Sequence, residues 1–161
     1  TRLLKDLTQI YKSNTKKESI GVSAETVRND LFVWKVKFFG FEGKLARDLK
    51  TWKKVSKTNQ DYIELEVKFP SGYPDAPPFM RVVSPRFKFH TGHVTIGGSI
   101  CTEFLTSKGW KKEIDIQTIF VQLRSDMIDG GARLDFGNLN DYTEQEAKSA
   151  FYRVARDHDW M

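Results

Sequence analysis

One cysteine, Cys101, stands among 161 residues. No internal disulfide can form, and such sparing use of cysteine fits a reducing compartment. There is no cysteine cluster, and His90 with His93 alone make a poor metal site, so no metal or cofactor is expected in this chain. No stretch reaches the roughly 18 uninterrupted apolar residues of a membrane helix. No secretory signal pattern opens the chain, and it starts at Thr1 rather than Met, as a piece of a longer protein would. Internal repeats and low-complexity tracts are also missing. The five prolines all fall between 70 and 85, which leaves the rest of the chain open to regular structure.

What is present reads as one globular domain over 1–161. Hydrophobic residues make up 39% and aromatic residues 13%, too many for disorder. A chain of this length buries roughly 68–70% of its unfolded surface. The formal charge is +5. That mild excess speaks to partners rather than to fold, and an acidic protein ranks above nucleic acid, which is not expected to bind.

Residues 2–12 place Leu3, Leu4, Leu7, Ile10 and Tyr11 at helical spacing, with Arg2, Lys5, Asp6 and Gln9 on the other face. A polar turn or loop follows over 14–19. Residues 32–38 and 61–69 alternate apolar and polar, the period of half-buried strands. Between them, 43–55 is ambiguous, with a basic turn at Lys53, Lys54 and Lys57. The set reads as an antiparallel meander, completed by a short strand over 79–83. No period dominates 86–112, which reads as a long ordered loop anchored by Phe87, Ile100, Leu105 and Trp110. Asp115 caps a helix striped by Ile116, Ile119, Phe120, Leu123 and Met127, which Gly130-Gly131 ends. Thr143-Glu144-Gln145-Glu146 is a capping box that opens a last helix with Ala147, Ala150, Phe151, Val154 and Ala155 inside. The class is α+β, with helices on an antiparallel sheet.

Several motifs in this order resemble those of the ubiquitin-conjugating enzyme family. Phe69-Pro70 followed by Tyr73-Pro74-Asp75-Ala76-Pro77-Pro78 resembles its F-P-x-x-Y-P-x-x-P-P segment. Gly98-Ser99-Ile100-Cys101 resembles its catalytic G-S-I-C stretch, and Trp110 stands where expected after it. The stretches 77–85 and 97–110 resemble the Q-type branch. The resemblance spans nearly the whole chain. It implies a fold with an N-terminal helix, a four-stranded antiparallel meander, a long active-site loop and C-terminal helices.

The resemblance also implies chemistry. Cys101 would accept ubiquitin, or a related modifier, from an activating enzyme as a thioester. A ligase or substrate protein would then receive it. ATP would be used by the activating enzyme and not by this chain. A thiolate suits the task as nucleophile and leaving group. Without these motifs a lone cysteine reads as core packing. The family's His-Pro-Asn asparagine, which supports the oxyanion, is missing. His93 falls near its place and is a candidate donor, with a purely structural role as the competing reading. His90 matches a histidine that braces the loop. Trp110 is expected to pack under that loop, with its indole N–H satisfied. Asp126 and Asp129 are loose matches to an acidic residue near the incoming nucleophile, and exposed helix-end charge is the favoured reading of both. Arg2 and Lys5 match the face offered to the activating enzyme. Asp75 and Lys111 replace the usual residues of the ligase-docking loops. The basic residues Lys50, Lys53, Lys54 and Lys57 suit an acidic partner or plain solvation. The family suggests cytosol or nucleus.

Two other readings remain. An inactive variant of the fold would bind ubiquitin or a partner without chemistry, as the lost asparagine suggests and the kept cysteine opposes. A cysteine hydrolase built on His93 and Cys101 lacks a third, orienting residue.

Overall fold

The computed structural model describes residues 1–14 and 19–160. The elements run α1 (Arg2–Asn14), β1 (Val22–Val27), β2 (Asp30–Phe38), α2 (Gly43–Val55), β3 (Ile63–Lys68) and β4 (Phe79–Ser84). A 3-10 turn (Glu103–Leu105), α3 (Ile116–Asp129) and α4 (Glu144–Asp157) complete the chain. The polar turn read over 14–19 lies largely outside the described residues.

The strands pair antiparallel in chain order, β1-β2-β3-β4. Alternation sets the register: Trp34 lies opposite Val67 and Val36 opposite Leu65, while Val67 faces Met80 and Leu65 faces Val82. A one-residue slip would turn this apolar face to solvent. The buried face receives α3, whose stripe Ile116, Ile119, Phe120, Leu123 and Met127 is fully sequestered. Phe120 meets Trp34 and Phe38 edge-on at 6.4 and 6.3 Å. Asp115 caps α3 by accepting from the Thr118 N–H. The capping box of α4 is formed in both directions between Thr143 and Glu146. The opposite sheet face carries ion pairs, Lys35 with Glu64 and Arg81 with Glu66. α4 closes over the β4 side of that face, with Phe151 edge-on to Phe79 and Lys68 paired to Glu144.

Two expectations are corrected. Residues 43–55 are a helix, and the fourth strand is Val22–Val27. Leu45, Leu49 and Trp52 recur at helical spacing and bury one face of α2, so the period was helical despite the dense lysines. On α1 the inward face is Leu3, Asp6 and Ile10, while Leu4 and Tyr11 are exposed. Asp6 is buried because it accepts from Arg2 Nε and from the Tyr73 hydroxyl.

Asp48 ties α2 to the end of α3. Its carboxylate accepts from Arg133 Nε at 2.7 Å, from Arg133 Nη2 at 3.1 Å and from the Leu134 N–H at 3.0 Å. Burial alone would raise its pKa, but these donors outweigh burial and hold it below the usual carboxylate value. Asp48→Ala strands Leu134 N–H and Arg133, and is expected to cost about 2–3 kcal/mol. The urea midpoint should fall with an unchanged slope. Hydrogen bonds from Lys68 and Lys148 pull Glu144 from 4.5 to about 2. A depressed carboxylate stabilises above its unfolded pKa and loses that contribution as pH falls through the folded one. Stability should therefore decline from about pH 4.5 toward 2, and Glu144→Gln should flatten that acid limb in pH-dependent melting.

Candidate active site

The loop that carries Cys101 is a small hairpin docked on the sheet edge. Val94 bridges Ile100 antiparallel, and the Cys101 N–H donates to the His93 carbonyl at 2.8 Å. His93 and Cys101 are thus direct cross-strand neighbours. The tip is drawn in by Thr95 and Ser99, whose hydroxyls lie 2.7 Å apart. The second arm adds to β4: the Val82 N–H donates to the Gly98 carbonyl and the Ile100 N–H to the Met80 carbonyl. Beside the hairpin, the Phe87 N–H donates to the Tyr142 hydroxyl and the Gly92 N–H to the Gly130 carbonyl.

Gly97 and Gly98 are required by what packs on them. A Cβ at Gly97 would sit 2.1 Å from the Glu146 carbonyl oxygen, and one at Gly98 would sit 2.6 Å from the Tyr142 ring. Bare backbone lets α4 settle onto the hairpin.

A cleft of about 560 Å³ opens beside Cys101. His90 and His93 line it from the loop, and Arg153, Val154, Asp157 and His158 line it from α4. Phe89 and Ile96 also face it, exposed by 63% and 61%. Cys101 itself is half-buried, and burial pushes its thiol pKa up. Among the described residues no group of three or more His, Cys, Asp or Glu side chains is arranged to hold a metal ion.

The histidines sit on unusual backbone. His90 and His93 have φ of 61° and 58°, a region disfavoured outside glycine and entered most readily by Asn, Asp and His. The His93 ring lies over Gly130, where an added Cβ would come within 2.7 Å of its Cδ2. The exposed His90 ring stacks on Phe89 at 3.7 Å, and no hydrogen bond braces it among the described residues.

The remaining candidates divide. Trp110 packs against the proline-rich turn. Its Nε1–H donates to the Pro74 carbonyl at 2.7 Å, and its ring lies 6.1 Å from Tyr73. Arg2 is committed to the Lys112 and Ile114 carbonyls and to Asp6. Lys5 and Lys111 are exposed, and Asp75 pairs with Lys112 at 3.2 Å. These residues, Lys5 apart, gather around the proline turn, away from the cleft lining. Asp126 accepts from Gln122 Nε2, and Asp129 is exposed at the end of α3. Neither lines the cleft; its carboxylate is Asp157. The sequence offered a signal for that wall, since 150, 153, 154, 157 and 158 share one helical face.

The ubiquitin-conjugating enzyme family model matches residues 2–135. The chain belongs to that family. Within it, the chain is 31% identical over 141 residues to the Q-like protein 1 of the ubiquitin-conjugating enzymes of Mus musculus, covering 86% of this chain and 84% of that protein. It is 34% identical over 161 residues to ubiquitin-conjugating enzyme E2 Q1 of Homo sapiens, covering 98% of this chain but 37% of that protein. These relatives assign the chain to the Q-type branch. The fold agrees with a Plasmodium vivax ubiquitin conjugating enzyme E2, with a TM-score of 0.58 at 21% identity over 79% of this chain and 99% of that one. In this family member the α4 wall of the cleft lies beyond the residues that the family model matches.

The buried thiol gives a direct expectation. Alkylation of Cys101 by iodoacetamide should rise with pH through a midpoint above the ordinary thiol value of about 8.5. A midpoint below that value would show that an unseen cation activates the sulfur.

Proposed function

We propose that this chain carries ubiquitin, or a related modifier, as a thioester on Cys101 and passes it to an acceptor. The observation that carries the reading is Cys101 at the open end of an edge-docked hairpin, half-buried on a cleft that a partner chain can enter. The thiol attacks the carbonyl of the modifier's thioester on the activating enzyme. A new S–C bond forms at Cys101, the donor S–C bond breaks, and the proton passes to the departing thiolate. An acceptor amine or hydroxyl then attacks the same carbonyl, Cys101 leaves, and the acceptor's proton ends on its sulfur. ATP is spent by the activating enzyme, and this chain needs no cofactor of its own. Burial raises the Cys101 thiol pKa and so lowers the thiolate fraction, and the activated carbonyl of the donor thioester offsets that cost. The unpaired cysteine fits cytosol or nucleus.

The tetrahedral oxyanion needs a donor. The Cys101 N–H is already given to the His93 carbonyl. His93, cross-strand from Cys101 and lining the cleft, is assigned that task in place of the missing asparagine.

The test combines activating enzyme, ATP and ubiquitin with wild type and Cys101→Ser. Wild type should form a reductant-sensitive adduct, and Cys101→Ser a reductant-stable one or none. His93→Ala should load normally yet discharge about 10²-fold more slowly, with His93→Asn restoring part of the rate. Failure to load ubiquitin or any related modifier would overturn the reading in favour of a binding module.

A further inference from the structure

Helix α2 concentrates the chain's basic character. Lys44, Arg47, Lys50, Lys53, Lys54 and Lys57 lie on it or two residues past its end, against one carboxylate, Asp48. That surplus equals the chain's whole formal excess of +5. All six cations are exposed, whereas Asp48 is buried and taken by Arg133. Elsewhere several basic side chains are paired: Lys35, Lys68, Arg81, Arg86, Lys112 and Lys148 each meet a carboxylate. No side chain of the six on α2 has an ion pair or hydrogen bond among the described residues. Lys50 and Lys54 stand at i, i+4 on α2, and Lys57 follows just past its C-cap.

The place is as telling as the charge. The first turn of α2 shares a cleft with the end of α3 and with Gly131, Ala132 and Arg133. Gly130, the next residue back, lines the Cys101 cleft. Only this short strip separates the two clefts.

Composition selects the kind of polyanion. Single-stranded nucleic acid wants aromatic platforms, but α2's only aromatic, Trp52, is buried. A membrane surface wants an apolar face turned outward, but Leu45 and Leu49 point into the core and Val55 is the one exposed apolar side chain. Five lysines supply flexible point charges and Arg47 a planar fork, and both pair with Asp and Glu carboxylates.

We propose that α2 docks an acidic segment of the acceptor protein, holding the acceptor group near the mouth of the Cys101 cleft. The proposal rests on the thioester function above for its purpose, though not for its binding test. A labelled peptide of alternating Asp and Glu is titrated into the unloaded chain by fluorescence anisotropy. It should bind wild type and bind the Lys50→Gln/Lys54→Gln/Lys57→Gln variant about tenfold more weakly. About 0.5 M NaCl should abolish the difference. A second arm follows discharge of the loaded thioester onto a lysine within that peptide and within its Asn/Gln counterpart. Wild type should favour the acidic acceptor, and the variant should load equally but lose the preference. Equal binding of acidic and neutral peptides, unchanged affinity in the variant, or tighter binding to an RNA oligomer or phosphatidylserine vesicles would overturn the proposal. Failure to load bears on the thioester reading alone, and the anisotropy arm still decides this one.

Discussion

Gly97 and Gly98 occupy the place where the Cys101 hairpin, Tyr142 and α4 meet with no room for a side chain. The rest of the site depends on that contact. With it, the Gly98 carbonyl reaches the Val82 N–H and the hairpin becomes an extension of the sheet edge. Cys101 is then set opposite His93, and α4 supplies the far wall of the cleft. Interiors are close-packed, so even one methyl group at Gly97 must move a backbone.

The same contact accounts for the electrostatic character of the sulfur. Half-buried on a cleft that α4 closes, Cys101 is desolvated, and burial raises its thiol pKa. An enzyme that must attack an inert amide needs an activated thiolate. One that exchanges thioesters does not, because the carbonyl arrives activated. The left-handed backbone at His93 belongs to the same design, since asparagine and histidine both enter that region more readily than most residues.

Much of this was legible in the chain. Strict alternation in Ile63, Leu65 and Val67, the stripe of α3 and the box at Thr143 are local signals, and the structure honours each. The fourth strand was misplaced because lysines obscured the helical spacing of Leu45, Leu49 and Trp52, and because β1 carries few apolar residues. Asp6 read as surface because its two partners, Arg2 and Tyr73, include one 67 residues away. The stretch around Cys101 was marked by its neighbours in sequence. The α4 wall of its cleft was visible only as a shared helical face, because tertiary packing alone brings those residues, some 50 positions later, to Cys101. Trp110 was placed in the right region but serves the proline turn instead.

α4, seated on the bare backbone of Gly97, governs the burial of Cys101. The most direct measurement is the alkylation rate of Cys101 at fixed pH in Gly97→Ala, taken well below that variant's cooperative melting transition. A faster rate than wild type is expected in the still-folded protein, as α4 lifts and the thiol regains solvent. A wild-type rate in a folded Gly97→Ala protein would contradict it.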